Sequence, residues 1–279
     1  MIGPPALSPV IADPTFLFPE ETPDSLWQLF AHSAWGIHRF SSADGRFWRD
    51  HGVVVWHAMR PFVRRVADET GYRYVLLYEK YPPFALVRTA LPGKPAWRSE
   101  LCVSVANDPA GLGRDGSGAH TAIPDKADAP DLFAESGSRV LIRPDASDWM
   151  KDNLLGQAVS NPCLIEAPYA DGPLRWRLYF SASLAFVEDC GFNEPRYIGM
   201  ATGPSPGGPF TVRPEPVIDP AADTMPGVLG AGSIKVLRMD DGWIGLQNKI
   251  YHDRGGHSRS AIFVLRSTDG IRWYDASGT

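Results

Sequence analysis

Ser42-Ala43-Asp44-Gly45-Arg46-Phe47-Trp48 returns near the other end of the chain as Ser267-Thr268-Asp269-Gly270-Ile271-Arg272-Trp273. The two stretches share the pattern S-x-D-G-x-x-W. Each follows a β-rich run and reads as a hairpin turn. Asp-Gly supplies the φ > 0 positions, and the Trp returns to the core. Their first residues, 42 and 267, lie 225 positions apart. That is four steps of about 56, the length of one four-stranded blade.

Outward from these turns the chain is a series of short β-rich runs, at 27–30, 53–56, 74–78, 101–105, 140–142, 177–180, 197–200, 234–237, 243–246 and 262–265. Each is bounded by Gly, Pro, Asp or Ser, the mark of many short antiparallel strands. Long helical periodicity is nearly absent. The inner strands of successive blades begin near Asp13, Arg60, Asn161 and Gly232. The interval from Arg60 to Asn161 is about twice the first, so an abbreviated blade is expected within 112–155, with Asp145-Ala146-Ser147-Asp148-Trp149 as its degenerate turn. The expectation is an all-β single domain over residues 1–279, a five-bladed β-propeller of four-stranded antiparallel blades with the third abbreviated.

At 279 residues, 44% hydrophobic and 21% charged, the chain is globular in composition. Nine Trp, nine Tyr and thirteen Phe suit a large β core and also carbohydrate sites, where aromatic faces stack on sugar C–H faces. A net charge of −5 gives no basic footprint, so no nucleic-acid partner is expected. No run approaches 18 apolar residues, so no membrane partner is expected either. The opening Met1-Ile2-Gly3-Pro4-Pro5 lacks a basic region and an apolar run, which points to a cytoplasmic protein. Cys102, Cys163 and Cys190 have no CxxC spacing, and the seven His form neither HxH nor HExxH. With no D-x-D-x-D-G loop, no metal or cofactor is expected. No G-x-S-x-G elbow supports a serine nucleophile. The GxGxxG at 111–116 is followed by Ser117-Gly118 and then Pro124. No helix opens there to face a phosphate, so the stretch 111–130 reads as a surface loop.

Ile11-Ala12-Asp13-Pro14-Thr15-Phe16, Leu164-Ile165-Glu166-Ala167-Pro168-Tyr169 and the blade turns together resemble the five-bladed glycosidase superfamily, which includes arabinanases, xylosidases, fructosidases and mannoside phosphorylases. The resemblance covers nearly the whole chain at the level of motifs. Its most specific element is their order: x-D-P opening the first blade, E-x-P a later one, and G-x-G/S the last. It implies cleavage of a small, furanosidic glycoside, with Asp13 as catalytic base or nucleophile and Glu166 as general acid. The chemistry itself requires two such groups, one to protonate the leaving oxygen and one to activate water or attack the anomeric carbon.

One departure stands out. Related sequences often carry Asp beside Pro at the second blade's opening, and this chain has Arg60-Pro61. A guanidinium there favours the charged form of a nearby carboxyl and offers a fork for an anionic substrate group. Asp128, Asp131 and Asp108 are the alternatives for a third acid. An inner strand begins on the active face, so the antiparallel second strand ends there. The rim residues are then His32 and Trp35, Glu79 and Tyr81, Glu194, and Asn248. Trp35 and Tyr81 are expected to stack on sugar, His32, Glu79 and Asn248 to bind hydroxyls, and Glu194 to replace Glu166 if needed. The leading expectation is a glycoside hydrolase-like enzyme acting on a small carbohydrate. The alternatives are a propeller with non-hydrolytic chemistry (elimination, cyclisation or phosphorolysis) and a non-catalytic glycan-binding module.

Overall fold

The two S-x-D-G-x-x-W stretches share the hydrogen bonds that their Ser and Asp side chains make to the turn backbone. The computed structural model describes residues 8, 10–66, 73–83, 97–113, 138–151, 156–169 and 172–276. In the first turn Ser42 Oγ accepts the N–H groups of Asp44 and Gly45, and Asp44 Oδ1 accepts those of Arg46 and Phe47, at 2.8–3.3 Å. Ser267 and Asp269 repeat the set with Asp269, Gly270, Ile271 and Arg272. Gly45 and Gly270 both have φ +70°, a conformation that glycine adopts without a Cβ penalty. Trp48 packs against the buried cluster of Leu29, Ala31 and Phe40, and Trp273 meets Tyr179 edge-on at 6.1 Å.

Each turn joins the third strand of a four-stranded sheet to its fourth. The first sheet runs β1 (Ala12–Leu17), β2 (Trp27–His32), β3 (Gly36–Ser42), β4 (Arg49–Trp56). The second is β5 (Ala58–Arg65), β6 (Tyr74–Lys80), β8 (Glu100–Ala106), β9 (Arg139–Ile142), with β7 (Trp97–Arg98) diverted to pair in parallel with β10 (Gly156–Gln157). The third is β11 (Val159–Tyr169), β12 (Gly172–Val187), β13 (Phe192–Gly203), β14 (Thr211–Val212). The last is β15 (Val228–Met239), β16 (Gly242–His252), β17 (Ser258–Ser267), β18 (Tyr274–Asp275). Among the described residues no helix is long and apolar enough to cross a membrane.

The described residues thus form four four-stranded sheets where turn spacing predicts five blades. Among the described residues, the Arg60-to-Asn161 interval carries the strands of the second sheet and the two-stranded β7–β10 pair. Within 112–155, the strand β9 is the outer strand of the second sheet. The expected degenerate turn leads into a single helical turn, Asp148–Lys151. Its Trp149 stacks on Phe180 of the third sheet at 6.2 Å and donates its indole N–H to the Arg213 carbonyl. Residues 114–137 lie outside the described residues.

The chain divides into two compact units, residues 1–80 with 101–141, and 81–100 with 142–279. In the first, β2 shows why the sheets pack: Leu29 and Ala31 enter one cluster while Phe30 points the other way, the period-two alternation of a strand. Phe30, Ile37 and Leu17 meet Leu76, Tyr78 and Val63 between the first two sheets. In the second unit, Tyr179 Oη donates to the Gly270 carbonyl at 2.7 Å, and Arg177 donates to that of Asp269. These bonds fasten the last sheet's turn to the third sheet.

Candidate active site

The first strand of each four-stranded sheet carries an extra residue at the same place. Register with the second strand breaks between Ala12 and Thr15, Met59 and Phe62, Ser160 and Cys163, and Gly230 and Ser233. Asp13, Arg60, Asn161 and Gly232 stand in the gaps with φ of +51°, +52°, +49° and +61°. Three of these bulge residues are not glycine; Asp13 and Asn161 belong to the short polar types that tolerate the left-handed region, whereas for Arg60 it costs about 1–2 kcal/mol. Pro14, Pro61 and Pro162 follow them and remove an N–H where the ladder is interrupted. Bulges that re-aim a side chain, and strain held against this cost, concentrate at functional sites.

In the first unit this geometry brings four of the expected site residues together. The bulges of β1 and β5 are neighbours, tied by Val63 N–H donating to Thr15 Oγ1 at 3.1 Å. His32, opposite Ala12, places Nδ1 3.3 Å from Asp13 Oδ2. The backbone N–H of Arg60 donates to that same Nδ1 at 3.4 Å. The Arg60 guanidinium pairs with Glu79, which lies opposite Met59. Burial pulls the His32 pKa below its ordinary value; the Asp13 charge opposes this, Arg60 reinforces it and Glu79 opposes it. At neutral pH the ring is therefore uncharged. The Asp13 side chain is 49% exposed and faces solvent beside it.

Glu79 and Tyr81 depart from their expected roles. The Glu79 side chain has no exposed surface and its carboxylate is engaged by Arg60, so it cannot meet a substrate hydroxyl directly. Arg60, paired to Glu79, presents a neutralised guanidinium rather than an uncommitted fork. Tyr81 is 2% exposed and packs on Trp97 at 5.3 Å, which removes it as a stacking surface. Trp35, by contrast, is 43% exposed on the turn directly after His32. Its carbonyl accepts His57 N–H at 3.0 Å, and its own N–H is held by Ser33 Oγ.

In the second unit the corresponding place is amide- and hydroxyl-lined. Asn161 Nδ2 donates to Ser160 and Ser181, both at 3.2 Å, and Ser181 Oγ donates to the Gly232 carbonyl at 2.6 Å. Asn248 is half-buried and pairs with Ser233. Glu166 sits five residues past Asn161, opposite Trp176. That is roughly 16 Å along an extended strand, toward the β11–β12 turn. The bulge of this strand is at Asn161-Pro162, and the recurrence of X-Pro at 13–14 and 60–61 is the signal that marks it. Glu194 is opposite Ala185, on the part of the β12–β13 hairpin that runs past the start of β11, at the bulge end. Asp108 caps a short 3₁₀ turn through Ala110 N–H, while Asp128 and Asp131 lie outside the described residues. Among the described residues no group of three or more His, Cys, Asp or Glu is arranged to hold a metal ion.

No protein-family model matches the chain, and no curated protein matches it in sequence. Solved structures do match it. An α-L-arabinofuranosidase from Lactobacillus brevis superposes with a TM-score of 0.56 at 14% identity, covering 95% of this chain and 75% of that one. Zg3597, a family 117 glycoside hydrolase of the marine bacterium Zobellia galactanivorans, gives 0.53 at 15% identity over 96% and 69%. A Cellvibrio cellulosa α-L-arabinanase complexed with arabinohexaose gives 0.51 at 15% over 98% and 75%. The chain is similar to these in fold, a β-propeller with four-stranded antiparallel sheets as blades.

Proposed function

We propose that this chain is a glycosidase-like enzyme cleaving a small, furanosidic glycoside, with the Asp13 carboxylate as the base that activates water. One observation carries the reading. Asp13 is a half-exposed carboxylate held in a left-handed bulge, next to a neutral imidazole. A general base must be reachable by substrate and held in place; the 49% exposure of the Asp13 side chain and its backbone position in the bulge support that reading. Two residues compete to protonate the leaving oxygen. Glu166 matches by motif but stands toward the β11–β12 turn, while Glu194 lies at the bulge end of its own sheet. Glu194 is on that ground the proposed acid.

The test is turnover of aryl and alkyl arabinofuranosides, fructosides, xylosides and mannosides by wild type, Asp13→Asn, Glu194→Gln and Glu166→Gln. Loss of a general base or acid costs about 10²–10⁴-fold. Loss of the acid costs less on aryl substrates, whose leaving group departs without protonation. Undiminished turnover by Asp13→Asn ends the proposal, and a large loss confined to Glu166→Gln returns the acid role to Glu166.

A second reading has its own support. Of the four bulge residues Asp13, Arg60, Asn161 and Gly232, one is a carboxylate. That favours chemistry with no second acid (elimination, cyclisation or phosphorolysis) or glycan binding without turnover. Oxygen-18 from water absent from the products, or turnover dependent on phosphate, would select it.

A further inference from the structure

His32 Nδ1 faces two partners that make opposite demands on it. It accepts the Arg60 N–H at 3.4 Å, which requires a bare nitrogen. It also stands 3.3 Å from Asp13 Oδ2, and a carboxylate attracts a nitrogen that carries a proton. Two sets of lone pairs at that distance repel unless a proton can come to lie between them. The structure assigns His32 as the proton acceptor behind Asp13, a role that rests on the proposed hydrolytic reading. At rest the ring is neutral with its proton on Nε2, Nδ1 takes the Arg60 N–H, and Asp13 is ionised. When Asp13 removes a proton from the attacking water, the water oxygen bonds to the anomeric carbon as that carbon's bond to the leaving oxygen breaks. The leaving oxygen takes its proton from the acid. The proton on Asp13 Oδ2 then passes to Nδ1 as the Arg60 N–H gives way, leaving Asp13 ionised again; the imidazolium releases that Nδ1 proton to solvent as the Arg60 N–H returns, and the acid regains a proton from solvent, which restores the resting state. The charged groups that act on the ring are Asp13, Arg60 and Glu79. Asp13 and Glu79 stabilise the imidazolium once it forms, and burial with Arg60 keeps the ring uncharged until then.

The competing account is that His32 merely satisfies the Arg60 N–H at the strained bulge. Nitrogen-15 histidine NMR on the whole chain, without substrate, separates the two. The relay requires Nδ1 unprotonated and Nε2 protonated at neutral pH, Nδ1 taking the proton on acidification, and Asp13→Asn moving that titration to lower pH. A protonated Nδ1 at neutral pH, or a titration unmoved by Asp13→Asn, overturns it. His32→Asn supplies the second readout, because an Asn Oδ1 still accepts the Arg60 N–H but cannot take a proton. Turnover is expected to fall about 10–100-fold with KM within about twofold, and the fold to persist; unchanged turnover in His32→Asn overturns the relay. Coupling seen by NMR in a chain that hydrolyses no glycoside would sink the proposed function and leave the shared proton standing. Hydrolysis by a chain with an uncoupled ring would sink the relay alone.

Discussion

The Arg60 guanidinium stands 2.5 Å from the carboxylate of Glu79, none of whose side chain reaches solvent, while 31% of Arg60 remains exposed. Glu79 is thus a buried charge whose counter-charge arrives from a strained bulge on the neighbouring strand. Removing one partner of such a pair is far more damaging than replacing both. Arg60→Met should cost about 2–3 kcal/mol, at the lower end for a buried pair because Arg60 is partly solvated. Adding Glu79→Gln to it should recover part of the loss. Urea unfolding of the single and double variants measures both; an Arg60→Met protein as stable as wild type would contradict this account of the pair.

The sequence made the frame of this site legible and hid its pairings. Ser, Asp and Gly in the 42–48 and 267–273 turns act through local hydrogen bonds, so residue type alone determines them. The four strand openings were readable because left-handed positions and the prolines after them leave a compositional trace. Blade count is less legible, because the spacing between strand openings reflects connection length as well as strand number; the described residues form four four-stranded sheets. The resemblance assigns Glu-Ala-Pro at 166–168 to a blade opening, whereas the bulge of that strand lies at Asn161-Pro162, the opening that spacing marks. The Asp13–His32 and Arg60–Glu79 contacts follow from cross-strand register after a bulge, which one strand's sequence does not contain. Tyr81 shows the same limit: nothing in its residue type distinguishes an exposed stacking face from a ring packed on Trp97.

Gly232 is the position where the bulge tolerates no side chain. A Cβ built there would come within 1.8 Å of the Asn248 carbonyl oxygen, and φ is +61°. Strand β16 would have to move away, and its pairing with Ser233 would go with it. Gly232→Ala should lower stability by at least about 2 kcal/mol, combining left-handed strain with the clash. For a chain of this size that is a melting temperature lower by roughly 4–8 °C. Calorimetry checks it, and a shift under about 1 °C would mean the strand accommodates the methyl freely.

Alkaline conditions should unfasten the last sheet's turn from the third sheet. Burial, the largest influence, pushes the Tyr179 phenol up to about 12, and its hydroxyl donates to the Gly270 carbonyl. A raised pKa in the folded state means the fold binds this proton more tightly than the unfolded chain, whose tyrosines titrate near about 10. The contribution is therefore complete below about pH 10 and lost as pH rises toward 12, amounting to about 2–3 kcal/mol. Tyr179→Phe should be less stable near neutrality by about 1 kcal/mol for the missing hydrogen bond, yet lose less than wild type between pH 10 and 12. Burial also raises Tyr78, so the flattening is partial. Parallel alkaline slopes for the two proteins would count against this assignment.

The choice of substitution at Asp13 decides whether its charge or its backbone is being tested. At φ +51° a side chain without a short polar group bears the left-handed cost in full, whereas Asn tolerates that region nearly as well as Asp. Asp13→Asn should therefore leave the melting temperature within about 2 °C of wild type, and Asp13→Ala should lower it by roughly 2–4 °C for about 1 kcal/mol of strain. If Asp13 is the base, both should lose turnover by about 10²-fold or more, and the Asn variant then attributes the loss to charge. Melting curves and turnover measured on the same two preparations separate the effects. An Asn variant that is stable and fully active would leave the bulge a purely architectural feature, since its strain would then be held for the fold and not for any chemistry at the carboxylate.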